Sequence, residues 1–319
     1  MSEMIKTINV PQSSDIQIIG LDAGRGYLKA YSVVNNIIRE AMFKSVIGDG
    51  REDKVEYKNY PDPIFISFEG MDYFVGDLAE KESYSAIRNS QDSKVSHTVQ
   101  VLLAAALEKI AVKEKVKIMF GVPYKNYTMK TLREVQDTYK GKTIVVKNKL
   151  DGNSTKTITI EDVDIFREGD AALFHAIKGE VNEDKPVGLV NVGFRTMELS
   201  YFSQGFLFND KLSTTVEYGN STMLKIVKDK ILSEYNVSKD VNEIDSSTDY
   251  DDFKRVAYAL GSEKVNQIVE ENWINKYEMD LYLAGGTSLH LNPGDDFNKL
   301  EDAQMATAKG LFEIAKIKF

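Results

Sequence analysis

The residues best suited to chemistry lie in three short glycine-bearing runs. The first is Asp22-Ala-Gly-Arg-Gly-Tyr-Leu-Lys29. Gly24 and Gly26 permit positive φ and let the backbone approach a bulky anion, and N–H groups in such a turn can cradle phosphate oxygens. An aspartate beside a phosphate is repelled unless a cation lies between them, so Asp22 is a candidate for holding Mg2+, directly or through its waters. Lys29 lies on the outgoing strand with Tyr27 and can return toward the anion. The second run, Val190-Asn-Val-Gly-Phe-Arg-Thr-Met-Glu198, repeats the logic, with Gly193 for close approach, the Thr196 hydroxyl and the Glu198 carboxylate. The third, Leu281-Tyr-Leu-Ala-Gly-Gly-Thr-Ser288, is a buried strand breaking at two glycines, which can lay backbone against a flat base or sugar. Taken singly, each run is also satisfied by an ordinary hairpin or strand-to-helix turn. Their order and spacing together are the specific signal.

Other chemistries are excluded or left without support. The Asp22–Lys29 run is not a dinucleotide fingerprint, because Lys29 stands where the third glycine belongs and a strand follows. Lys140-Gly-Lys-Thr143 lacks the first glycine of a P-loop, a place taken by Gln136, and follows a helix rather than a strand. The chain has no cysteine, which excludes disulfides, zinc thiolates and cysteine nucleophiles. His97, His175 and His290 show no ligand spacing and read as surface or core residues. A formal net charge of -9 argues against a broad basic surface for direct nucleic-acid binding. The first fifteen residues contain no apolar signal region, and the longest apolar run, Val101 to Leu107, falls far short of the roughly 20 residues of a membrane span. The expectation is a cytoplasmic protein with no membrane partner.

The elements that must position these runs can be read from periodicity and punctuation. Ile16–Leu21, Tyr27–Val34 and Ile37–Phe43 form a three-stranded meander around the first glycine turn. Asp49–Tyr60 is a charged, irregular loop, and Ile64–Phe68 with Tyr73–Val75 is a further hairpin. Val95–Ala111 carries a helical pattern, Lys117–Phe120 is a buried strand, and Thr128–Tyr139 is a helix. Strands at Thr143–Val146 and Lys156–Ile160 precede a helix from Ala171. After Lys185-Pro186, a strand from Val187 opens the second half. Ser221–Tyr235 and Phe253–Tyr277 are helices, separated by an acidic solvated stretch, Asn242–Asp252, and a last helix spans about Ala303–Ala315. The chain also partly repeats itself: a shift of 169 positions places Asn191 on Asp22, Lys29 on Glu198, and the turn Asn35-Asn36 on Gln204-Gly205. Two meanders of matching design predict a duplicated α/β unit, hence two similar lobes.

These runs resemble the ATPase core shared by actin, Hsp70 and sugar kinases, and within it ParM and related actin-like proteins that segregate bacterial plasmids. Asp22-x-Gly24-x-Gly26-x-x-Lys29 resembles the phosphate-1 loop, Asn191–Glu198 phosphate-2, and Gly285-Gly286-Thr287 the adenosine motif. Glu168-Gly169, within Phe166–Asp170, resembles connect-1, and Ala308-Lys-Gly310 connect-2. Tyr73–Ala79 and Gly121-Val-Pro123 look like further ParM-type signatures.

The likeness implies an α/β actin-like ATPase fold of two duplicated ribonuclease-H-like lobes around a nucleotide cleft. Residues 1–180 would form lobe I and 181–302 lobe II, with 303–319 packing back on lobe I. It implies hydrolysis of ATP (or GTP) with Mg2+, self-assembly into filaments, and a DNA-binding adaptor on the plasmid. Glu168 would orient the attacking water, Asp22 and Asn191 would hold hydrated Mg2+, and Lys29 would meet the phosphates. Nucleotide contacts would come further from Gly24, Arg25, Gly26, Tyr27, Gly193, Phe194, Arg195, Thr196, Glu198, Gly219, Gly285, Gly286, Thr287 and Ser288. Two departures stand out: the family places aspartate where this chain has Asn191, and again where it has Glu198. They bear on hydrolysis more than on nucleotide binding. A small-molecule kinase on the same core and a non-hydrolysing nucleotide-dependent scaffold are the alternatives.

Overall fold

The computed structural model describes residues 15–51, 60–91, 93–177 and 184–319. The expectations for the first fourteen residues and for most of the Asp49–Tyr60 loop lie outside them. The chain divides into two compact units, one reaching to residue 179 and including 307–319, the other comprising 180–306.

The first unit is built on a ten-stranded sheet. Strands β1 (Ile16–Ala23), β2 (Tyr27–Val34) and β3 (Ile37–Lys44) form the expected meander, followed by β4 (Val46–Asp49), β5 (Ile64–Phe68), β6 (Met71–Val75) and β7 (Ile87–Arg88). Strands β8 (Lys115–Val122), β9 (Thr143–Asn148) and β10 (Thr155–Arg167) complete it, in the order β3-β2-β1-β8-β10-β9-β5-β6-β4-β7. On β8 the alternation is strict. Val116, Ile118, Phe120 and Val122 enter the main core with helix α2 (His97–Ile110), while Met119 joins Ala171, Leu311 and Ala315 on the opposite side. Helix α2 is apolar around most of its surface because it is buried along nearly its whole length.

The second face is covered by α4 (Glu168–Ile177) and α8 (Ala306–Lys318). A Cβ on Gly310 would lie 1.8 Å from the Ala171 carbonyl oxygen, so α8 meets α4 backbone to backbone. The connect-2 glycine is thus a close-approach residue. Strand β10 is much longer than expected. Its register against β8 slips between Ile160 and Asp162, a bulge at Glu161 that restarts the alternation and carries the strand directly into α4.

The second unit repeats the plan in six strands. Antiparallel β11 (Val187–Val192) and β12 (Met197–Ser203) are continued by β13 (Leu207–Phe208) and β14 (Thr214–Val216), and parallel β15 (Asp280–Ala284) and β16 (Phe297–Lys299) lie beyond β11. The repeat holds at the level of single pairs: Asp22 faces Lys29 across β1–β2, and Asn191 faces Glu198 across β11–β12. Helix α5 (Asn220–Tyr235) packs with α7 (Asp251–Asn272).

The acidic stretch Asn242–Asp252 is not a solvated loop. It contains α6 (Val241–Ser246), capped by the Asp240 carboxylate and anchored by buried Ile244, and the first residues of α7. Its charges mark helix starts, where carboxylates oppose the helix dipole. The last helix begins at Ala306 rather than Ala303. None of the helices among the described residues is long and apolar enough to cross a membrane.

Candidate functional site

In the first unit, four charged groups gather at the carboxyl end of β1. Asp22 is buried within the strand, not in the turn, and its Oδ2 takes a 3.0 Å ion pair from Lys29 Nζ. Lys29 therefore turns toward Asp22. Lys94, 4% exposed, donates to the Ala23 carbonyl at 3.0 Å and to Glu168 Oε1 at 2.9 Å. Glu168 opens α4, and Gly121 on β8 makes room for it: a Cβ there would sit 2.9 Å from Glu168 Cγ. Burial pushes the Glu168 carboxyl up from its ordinary value, the Lys94 charge opposes that rise, and the Asp22 carboxylate adds to it.

The Ala23–Gly26 turn is gripped through its carbonyls. Gly24 O accepts from Ser45 Oγ at 2.7 Å and Asn89 Nδ2 at 3.3 Å, and Gly26 O accepts from Ser45 N at 2.9 Å. A trans peptide sets N–H opposite C=O, so the N–H groups of Gly24 and Arg25 face away from Lys94, Ser45 and Asn89. Neither Gly24 nor Gly26 uses the positive φ that glycine permits. Gly24 is required for another reason, since a Cβ there would lie 2.9 Å from the Tyr27 carbonyl.

In the second unit the corresponding hairpin is held differently. The Gly193 N–H closes the turn on Thr196 O at 2.9 Å. The carbonyls of Gly193 and Phe194 accept from Asn220 N at 3.2 Å and Ser221 N at 2.7 Å, capping the start of α5. Gly219 is pressed against this hairpin, with no room for a Cβ. Thr287 Oγ1 donates to the Gly193 carbonyl at 2.9 Å and ties the third run to the second.

Gly285 has φ +90°, and a Cβ there would lie 2.3 Å from the Val192 carbonyl and 2.7 Å from Asn191 Oδ1. Only glycine serves at this position. Ser288 Oγ returns to Gly285 O at 2.7 Å. Glu198 is buried on β12 opposite Asn191. Arg195 is largely exposed and pairs with Glu217 at 3.2 Å.

The second and third runs meet within the second unit, while the first lies in the other unit; sequence reasoning missed the residues that hold them. Lys94 and Asn89 lie in non-periodic polar stretches, Ser45 is a single residue between β3 and β4, and Lys94 meets Glu168 across 74 positions. Also missed was a cavity of about 640 Å3 in the second unit. Asp245, Lys254, Tyr258, Ser262, His290 and Asn292 are among its lining residues. The Tyr258 and His290 rings stack there, 4.6 Å apart and 13° from parallel. The other histidines are local partners, His97 of Tyr73 OH and His175 of Glu313. No cluster of three or more His, Cys, Asp or Glu placed to hold a metal occurs among the described residues.

Residues 20–169 match the family model described as "Actin like proteins N terminal domain". Among solved structures, the archaeal actin homolog Ta0583 superposes with a TM-score of 0.78 over 94% of this chain and 99% of its own, at 15% identity. The fold is that of the actin-like ATPases. Other actin-like structures agree: a 15-stranded ParM filament from Clostridium botulinum (TM-score 0.79, 20% identity, 96% and 100% covered) and Bacillus thuringiensis ParM with ATP (TM-score 0.70, 15% identity, 96% and 99% covered). Comparison with curated protein sequences finds no match.

Proposed function

We propose that this actin-like chain binds Mg-ATP, with GTP as the second candidate purine, hydrolyses it slowly, and assembles into filaments in the nucleotide-bound state. The observation that carries this reading is the pair of hairpins with the same register 169 residues apart. One bears Asp22 and Lys29, the other Asn191 and Glu198. Solved structures of similar fold add support, among them Ta0583 in complex with ADP, ParM with ATP and a ParM filament.

The N–H groups of Gly24 and Arg25, turned away from Lys94, Ser45 and Asn89, would receive phosphate oxygens. The Thr196 hydroxyl would do so from the other hairpin, whose turn Gly193 closes, and the cavity lined by Tyr258 and His290 would take the base. Glu168 would orient the attacking water, held in place by Lys94. Phosphoryl transfer asks the protein mainly for alignment and charge stabilisation. The donor set suits a hydrated Mg2+, held by one buried carboxylate and the nucleotide's own phosphates rather than by an all-protein cage. Asp22 would hold it from the first unit and the Asn191 amide, through a bound water, from the second. The ion would supply neutralisation of phosphate charge. The resemblance to plasmid-segregating actin-like proteins supports a role in DNA partition through a DNA-binding adaptor.

The neutral Asn191 favours a second reading, a nucleotide-dependent scaffold that binds without turnover. Pelleting the purified chain with and without Mg-ATP, alongside phosphate release, tests both. Nucleotide-dependent sedimentation with slow phosphate release is expected. Sedimentation without release supports the scaffold, and neither response would overturn the filament reading.

A further inference from the structure

The turn joining α7 to β15 carries two large side chains that the fold holds out in solvent. Ile274 is 96% exposed and Tyr277 81% exposed. Their neighbours are the reverse. Trp273 is 1% exposed, donates its indole N–H to Leu212 O at 2.8 Å and packs edge-on against Tyr201. Lys276 is 4% exposed and bridges Glu270 at 3.1 Å and Asp296 at 3.3 Å. Asn275 Nδ2 donates to Tyr201 OH at 3.0 Å, and the backbone closes through Lys276 N to Trp273 O and Met279 N to Lys276 O. Even Tyr277 is braced, with Lys276 Nζ 5.0 Å from its ring centre. Burying a tryptophan and a bridged lysine in a seven-residue turn fixes Ile274 and Tyr277 before any partner arrives. Little ordering entropy then remains to be lost on docking. A rigid tyrosine beside an aliphatic anchor is the composition of an interface hot spot.

The rim of this knob is acidic, with Glu270, Glu271 and Glu278 beside the two anchors. The whole second unit shares that sign. Residues 180–306 hold 23 acidic and 12 basic side chains, net -11, whereas the remainder of the chain holds 26 acidic and 28 basic, net +2. Knob against knob would set like charges together, which disfavours a symmetric pair. Knob against the nearly neutral first unit of another copy avoids that repulsion. Such a heterologous contact propagates as an open fibre unless its rotation closes a ring.

We propose that the Trp273–Met279 turn is a preformed self-assembly knob, docking onto the first unit of a second copy of this chain. The proposal rests on the filament reading above and names the contact that would drive it. The test is sedimentation of the full-length protein with Mg-ATP, comparing wild type, Ile274→Asp/Tyr277→Ser and Glu271→Lys/Glu278→Lys. The altered residues are exposed, so thermal unfolding and ATP binding by calorimetry should match wild type. Both variants should raise the critical concentration about tenfold or more, the charge reversal chiefly at low salt. The first variant keeps its receiving surface, so one part in ten mixed with wild type should still reduce wild-type sedimentation. If wild type sediments and both variants do so at the same critical concentration, the knob proposal is overturned while the filament reading stands. If wild type never sediments although it binds ATP, the filament reading fails and the knob with it.

Discussion

The two hairpins share a backbone plan and differ in charge. In the first unit Asp22, Lys29, Lys94 and Glu168 converge on the Ala23–Gly26 turn, whose carbonyls are held by side-chain donors and a backbone N–H. In the second unit the equivalent turn is held by the start of α5 and by Thr287, and Asn191 replaces the paired aspartate. Duplication conserves what backbone register dictates, and side chains then divide the labour. The first hairpin gathers the buried ion pairs, and the second closes on the strand break at Gly285.

That division can be broken or sharpened by substitution. Asp22→Asn should have the largest effect, because it leaves the partly buried Lys29 without its carboxylate; losing one partner of such a pair costs up to about 3 kcal/mol. Chemical denaturation measures that loss, and Mg-ATP binding should fall with it. Glu168→Gln should slow phosphate release about a hundredfold while ATP binding and sedimentation persist; unchanged release would remove Glu168 from the reaction. Gly285→Ala should destabilise the second unit by about 2 kcal/mol, through positive φ and contact with Val192 O. Asn191→Asp gives the second hairpin the missing charge. It should strengthen Mg2+-dependent nucleotide affinity about tenfold, at a penalty of at most about 1 kcal/mol from facing Glu198. No gain would mean that the second hairpin does not meet the metal.

The smallest effect is on pH dependence. Glu168 must be ionised to orient water, and burial raises its pKa, so phosphate release should rise with pH through a value above the ordinary glutamate range. Lys94 opposes that rise, so Lys94→Met should move the acidic limb to still higher pH. Stability should run the opposite way. A raised folded-state pKa favours the fold below the unfolded value, and that advantage is lost as pH rises through the folded one.

Much of this was legible because the meanders alternate cleanly and end at glycines, as in β1–β2 and β11–β12. The 169-residue repeat was visible for the same reason, even though few side chains match. Strand β10 was cut short in the reading because the bulge at Glu161 reverses its alternation. Helix α6 was missed because a single residue, Ile244, anchors it in the core, too little for a periodic signal. Lys94 gave no sign at all, since its role exists only through contacts with Ala23 and Glu168 that chain proximity does not reveal. Gly24 permits positive φ but does not use it; closeness to Tyr27 O rather than handedness demands glycine there.

Calorimetric titration of the full-length chain with ATP, with Mg2+ present and then chelated, bears most directly on the proposal that this chain binds Mg-ATP through Asp22. One ATP per chain should bind, with affinity falling sharply on chelation and in Asp22→Asn. Binding that ignores Mg2+, or no binding of any purine triphosphate, would contradict it.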